Sequence, residues 1–476
     1  MTSSGKPRKK LEVGITLSSA NAHHCILIRM QLRLLSFLLG LLFLPACLFA
    51  AGEDPVFSVQ RTRLANGMEV WIKPRANTRA VDVRLVVRVG FRDEKPLDSG
   101  LSHLLEHMLF KGTRSHTEIE LNRMLQSKGA YDNGETWPEY TFYEVNIIDR
   151  YFPLALGWLR EITQEPLLLP AALRDARKDV YSEQQGHYPR ILERIFQTGI
   201  FQPLPIRLGD VLFPNANVSE RIIANLDDID ANRLRAHLKR YYVPGNMGLI
   251  VVGNVDPAEI LREAQAAFGS LTPAPVDRGD GLPHLAPRRI EGEIHTLFFP
   301  PAGQMTEIWR GFWTAGLSDP DRHVLRLIAA HLDRRAFEEV RLKRALAYSV
   351  GAATYDLSDI GLFYLHANAT RGSDEEKTVK RLFDGLLTRV RQDGLTTDEL
   401  REAKDMMTGR QVRRYENNAN LAALYQELYL STPYGTPIEN GFDRIEAITN
   451  TDVLRVAGKT FVDRNGFRAA ARPPMT

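Results

Sequence analysis

Apolar and polar residues alternate along "AVDVRLVVRVG": Val81, Val83, Leu85, Val87 and Val89 fall on one face, Asp82, Arg84 and Arg88 on the other. A period of two with one apolar face predicts a half-buried strand. Just upstream, "RTRLANGMEVWIKP" places Asn66-Gly67 between two short extended runs, the pattern of a hairpin. The period then lengthens. "SGLSHLLEHMLFKGT" (99–113) and the segment from Glu118 to Ser127 read as helices, and "YTFYEVNIID" from Tyr140 reads as a strand. After a helical middle, "NMGLIVVGNVD" (246–256) reads as a buried strand.

The stretch "LTPAPVDRGDGLPHLAPRR" (271–289) is rich in Pro and Gly and lacks periodicity, so it marks a linker. Beyond it the order of elements repeats. "YYVPGNMGLIVVG" near Tyr242 has an echo in "FVDRNGFRAAARP" near Phe461, an offset of 219 positions. The same offset carries His103 to Arg322, inside "DPDRHVLRLIAAHL", another strand-to-helix entry. Further on, Thr396 and Glu399 form a capping box ahead of a helix. The pattern therefore predicts an α+β protein of two similar domains, residues 54–270 and 290–476. Each is a mostly antiparallel sheet with helices packed on one face.

Length agrees, since 476 residues exceed one typical core. Residues 1–50 hold six Lys and Arg against Glu12, and the formal charge of the whole chain is +3. The remainder is slightly acidic, which removes any basic excess for nucleic acid. From Met30 the chain runs through a short basic start and an uncharged apolar stretch, Leu34 to Ala51, into small residues. That is the layout of a secretory signal peptide cleaved after Ala50, and it predicts a periplasmic or secreted protein. A lipoprotein box ending at Cys47 and an uncleaved membrane anchor are the two alternatives. Cys25 and Cys47 are the only cysteines, so cleavage at Ala50 leaves no thiol or disulfide chemistry.

The chemistry concentrates in His103, Glu106 and His107. On a helix the two histidines are i and i+4, within reach of one metal ion. Neutral imidazole is a good zinc ligand. Glu106 would lie beside the metal, placed to take a proton from water and pass it to a leaving amine. This His-x-x-Glu-His order is the inverse of the commoner zinc protease motif. Taken alone, the five residues also fit a buried helix whose histidines edge its polar side. A third ligand is needed to decide.

"VRVGFRDEKPLDSGLSHLLEHMLFKGT" resembles the active-site region of the pitrilysin–insulysin family of zinc peptidases, which includes the mitochondrial processing peptidases. The likeness extends to Gly90, Glu94 and "LFKGT". It implies a third zinc ligand about 76 positions beyond the second histidine, which is Glu183 in "RKDVYSEQQGHYP". The family's usual supporting glutamate, seven residues earlier, is Ala176 here, with Asp175 and Asp179 as nearby substitutes. "GAYDNGETWPEYTFYEV" resembles the family's edge-strand segment, which implies that Asn133 contacts substrate, whereas Asn-Gly read alone is a plain turn. "EEVRLKRALAYSV" resembles the family's Arg–Tyr pair and implies that Arg341 and Tyr348 bind substrate and steady the oxyanion. The resemblance further implies a half-size zinc endopeptidase acting on peptides or unfolded segments as a homodimer, or as a heterodimer with a related subunit. A non-catalytic assembly subunit, or a peptide-binding partner, is the alternative that the same resemblance allows.

Overall fold

The computed structural model describes residues 58–95, 99–185, 211–212, 226–276, 287, 289, 291–297, 305–370, 373–431 and 441–472. The expected leader and most of the expected linker lie outside them. The described residues belong to one compact unit, Val56–Thr476.

The first half builds β1 (Gln60–Arg63), β2 (Glu69–Pro74), β3 (Ala80–Val87), α1 (Leu101–Leu109), α2 (Glu118–Gln126), β4 (Tyr131–Thr136), β5 (Thr141–Ile148), α3 (Phe152–Gln164), α4 (Pro170–Gln185), α5 (Ala231–Tyr241), β6 (Met247–Gly253) and α6 (Pro257–Phe268). The second half builds β7 (Glu293–Leu297), β8 (Met305–Ala315), α7 (Asp321–Ala336), β9 (Ala347–Asp356), β10 (Ile360–Thr370), α8 (Ser373–Asp393), α9 (Thr397–Arg414), α10 (Asn418–Ser431), α11 (Gly441–Ala447), α12 (Asn450–Thr460) and β11 (Gly466–Arg472).

Two sheets follow, ordered β1-β2-β6-β3-β5-β4 and β7-β11-β8-β10-β9. Without the β1 hairpin the two orders are the same. In each, one parallel pair (β2 with β6, β7 with β11) joins an otherwise antiparallel sheet. The 219-position offset takes α5 onto α12 and β6 onto β11 residue for residue. The α+β duplication expected from the sequence is therefore present. The Asn66-Gly67 hairpin forms as expected, with Gly67 in the left-handed region (φ 93°) that glycine tolerates.

The main core lies between the first sheet and its helices. Val81, Val83, Leu85 and Val87 of β3 pack with Leu104, Leu105, Met108 and Leu109 of α1 and Leu156 and Leu159 of α3. Fully burying each such side chain contributes about 1.5–3 kcal/mol.

The opposite face of β3 departs from expectation, because it too is buried. Helix α10, from the second half, lies across it. Tyr425 and Tyr429 of α10 pack on Trp71, Val86 and Ile250. Its arginines find partners, while the fully buried Asp82 has Arg84 Nε at 3.8 Å. Arg84 binds Glu144 and donates to Gln426 Oε1 (3.0 Å), and Arg88 lies over the Tyr429 ring at 3.6 Å. Alternation in β3 thus separates an apolar core from a charged, helix-covered face rather than from solvent.

Gly248 of β6 leaves room for this helix: a Cβ there would stand 2.5 Å from the Tyr429 ring. Gly248→Ala is expected to cost about 1–3 kcal/mol through overpacking. In chemical denaturation, Tyr429→Ala in the same chain should recover part of that loss. Strictly additive losses would show that Gly248 does not set the approach of α10.

Candidate metal centre

Helix α1 has two faces because apolar residues occupy 104, 105, 108 and 109, all fully buried. The positions left over at helical spacing, His103, Glu106, His107 and Phe110, form one stripe along the wall of a cleft of about 560 Å³. The start of α1 is held by a distant carboxylate. Gly100, at the N-cap, has φ 92° and no side chain to cap with, and Glu94 accepts from the backbone N–H groups of Gly100 (2.7 Å) and Ser102. A buried anion on the first N–H groups of a helix is favourable for both hydrogen bonding and the helix dipole.

Glu183, in the last turn of α4, reaches this stripe. Its Oε2 lies 3.1 Å from His103 Nε2 and 3.3 Å from His107 Nε2, and the two imidazole nitrogens are 3.1 Å apart. Two nitrogens and a carboxylate oxygen converging this closely share too few protons for three mutual hydrogen bonds. The spacing instead fits one ion: ligands about 2.0–2.1 Å from a tetrahedral zinc stand roughly 3.3 Å apart. His103, His107 and Glu183 are the one such group among the described residues. The hydrogen bonds to His103 and His107 hold the Glu183 carboxyl well below the usual range, so it offers a charged ligand at neutral pH. Three protein ligands leave a fourth position open, as in catalytic rather than structural zinc sites.

Glu106 sits beside the triad, 6% exposed. Burial pushes its carboxyl up, while the two histidines and a hydrogen bond from Thr136 Oγ1 (2.9 Å) pull it back down. A carboxylate shielded from water next to a cation site is poised to exchange a proton. Thr136 is the residue the sequence reasoning passed over, although its segment had been singled out.

Asn133 and Gly134 lie within β4 and not in a turn. β4 is the edge strand of the first sheet and lines the cleft opposite α1. Asn133 donates to Glu135 Oε1 (3.2 Å). A Cβ on Gly134 would come within 3.0 Å of Glu106 and 3.1 Å of Phe110, so the glycine gives the carboxylate its space.

Ala176 is fully buried in the apolar core, seven residues before Glu183 on the same helix. Neither neighbouring aspartate takes over a supporting role at the histidines. Asp179 pairs with Lys111 (3.1 Å) and Asp175 with Lys178 (2.8 Å).

Arg341 and Tyr348 are brought to each other, the guanidinium 4.3 Å from the ring centroid. Arg341 lies in a π-helical turn at 337–342, and Tyr348, the second residue of β9, is 75% exposed. Neither is among the described residues that line the metal cleft, all of which come from the first half.

Two like α+β halves hold, among the described residues, one group that could bind a metal, and it lies in the first half. Residues 69–202 match the family model described as Insulinase (Peptidase family M16), and residues 228–407 match the model described as Peptidase M16 inactive domain. The chain belongs to this peptidase family, in its half-size form. It is 27% identical to an uncharacterized zinc protease of Streptomyces coelicolor, over 85% of this chain and 88% of that one. It is 22% identical to an uncharacterized zinc protease of Bacillus subtilis, over 74% and 83%. Among solved structures, a protease from Helicobacter pylori shares the fold with a TM-score of 0.75 at 18% identity, covering 87% of this chain and all of that one. The periplasmic protease PqqL of Escherichia coli superposes with a TM-score of 0.67 at 17% identity, over 87% of this chain but 47% of its own length.

The "inactive domain" model begins at residue 228, in the last elements of the first half, and runs through most of the second half, which has no metal triad among its described residues. Thr136→Val should lower turnover ten- to a hundredfold, since a hydrogen bond to a charged group contributes about 1.5–3 kcal/mol. Zinc stoichiometry, read by atomic absorption, should stay unchanged. Loss of metal in that variant would make Thr136 part of the ligand scaffold instead.

Proposed function

We propose that the protein is a zinc-dependent endopeptidase that cuts peptides or unfolded polypeptide segments. The convergence of His103, His107 and Glu183 within 3.3 Å, with buried Glu106 beside them, carries this reading. Zn²⁺ held there supplies Lewis acidity toward a peptide carbonyl and toward water. Glu106 accepts the proton of the attacking water and returns it to the departing amine. β4 holds the substrate as an added strand through its unpaired edge, which admits extended chains and rejects folded ones.

Arg341 and Tyr348 supply hydrogen-bond donors to the developing oxyanion. Because they lie outside the lining of their own chain's cleft, a second copy of the chain brings them there in a symmetric dimer. The apolar leader supports export to the periplasm, and no described helix is long and apolar enough to cross a membrane.

A peptide library incubated with the zinc-loaded chain, and read by mass spectrometry, should show cuts that vanish with Glu106→Gln at full zinc occupancy. Cuts that persist in that variant would remove Glu106 as the base. No cutting by the zinc-loaded parent would favour a non-catalytic subunit. Mixing Glu106→Gln chains with chains carrying Arg341→Ala and Tyr348→Phe tests the dimer. Sites completed in trans should recover about a quarter of the parental rate, because half of the dimers are mixed and each has one intact site. Sites completed within one chain should recover nothing.

A further inference from the structure

On the first turns of α7, Arg322 and Arg326 stand at i, i+4 spacing and so project from one face of the helix. Beside them is a cavity of about 310 Å³, walled by α7, the last turns of α9 and α10, and α11. Arg322, Arg326, Arg414, Arg444 and His323 face it, against the acids Asp319 and Glu427.

These charges are unevenly satisfied. Arg326 is held by Asp356 (3.0 Å) and Glu427 (2.9 Å), and Asp319 stands 3.5 Å from Lys459. Arg322 and Arg414 make no contact within 4 Å of a carboxylate among the described residues, and Glu427, bound to Arg326, acts on both only from further away. Arg322 is also 6% exposed, with its Nη1 unmatched by any acceptor and its Nε 3.4 Å from His323 Nε2. A buried guanidinium with an unmatched N–H is costly unless an acceptor completes it. Arginine's planar fork suits a phosphate or carboxylate group better than a single oxygen.

We propose that this cavity is an oxyanion site, taking a phosphate or carboxylate group. Arg322 and Arg414 bind the anion, and Arg326, already neutralised, frames it. The bound group would bridge α7 and α9 where α10 runs past on its way across the first sheet. The site stands whether or not the chain cuts peptides.

The test is thermal unfolding of the full chain in sodium phosphate, sodium acetate and sodium chloride at equal ionic strength. Phosphate or acetate should raise Tm by several degrees beyond chloride, saturably, as a ligand of the folded state does. The larger shift identifies which of the two groups the site prefers. Arg322→Met should abolish the shift, and Arg414→Met, at an exposed position that the fold does not depend on, should weaken binding at least about tenfold. His107→Ala should keep the shift, which separates this site from the metal centre. Equal Tm in all three salts, a shift that survives Arg414→Met, or one lost in His107→Ala would overturn the proposal.

Discussion

The candidate metal centre depends on where α1 begins. A helix of nine residues is marginal on its own, and its N-terminal N–H groups need acceptors. Glu94 supplies them from a short loop, and that loop is itself tied down. A Cβ on Gly90 would stand 1.9 Å from Trp137 O, so the backbones of 90–94 and 137–139 touch directly. Phe91 N–H and Arg92 N–H donate to Trp137 O (3.3 Å) and Pro138 O (2.8 Å). The loop that caps α1 is thereby zipped to the segment that follows the edge strand β4, and the two walls of the cleft are set by one contact.

Arg92 extends this constraint to the second half. Its guanidinium, 1% exposed, binds Glu139 and Asp359 (2.8 Å), and Glu139 accepts from Ser358 N–H (2.8 Å) and Ser358 Oγ (2.6 Å). Breaking a buried ion pair by removing one partner costs about 3–5 kcal/mol, because a charge is left behind without water. The β9–β10 turn therefore helps hold the position of the histidine-bearing helix although it supplies no residue to the cleft. The halves are not two independent beads. α10 crosses over the first sheet on one side, and Arg92 locks the turn on the other.

What the sequence made legible is what local spacing encodes. The hairpin at Asn66-Gly67, the capping box at Thr396 and Glu399, and the i, i+4 histidines each depend on residues a few positions apart. The repeat was visible only as an echo, since most of the shared positions carry different side chains and the 219-position offset holds for α5 with α12 and β6 with β11 but not for β3 with β8. Glu183, 76 residues beyond His107, was reached through family resemblance; no local rule links a helix end to a motif two strands and three helices away. The second buried face of β3 was hidden for the same reason. Asp82 and Arg84 looked solvent-facing because the helix that covers them comes some 340 residues later. Charge alternation marks two faces, and only tertiary contacts say what covers each.

Ala176 shows how support for a metal ligand can change in kind. A glutamate two turns before Glu183 would hold the site through charge and hydrogen bonds, as outer groups around metals commonly do. In this chain the position is apolar and sealed into the core with Val180, one turn further along α4. An ionised side chain there would have to be desolvated among leucines, at a cost of several kcal/mol unless a partner came with it. Asp179, one turn before Glu183, is already engaged by Lys111, which also binds Glu118 (3.0 Å) and so ties α4 to α2. Glu183 is therefore aimed by the packing of α4 on α1. That rigidity fixes direction without adding negative charge near the histidines, and it leaves Glu183 as the triad's sole formal charge.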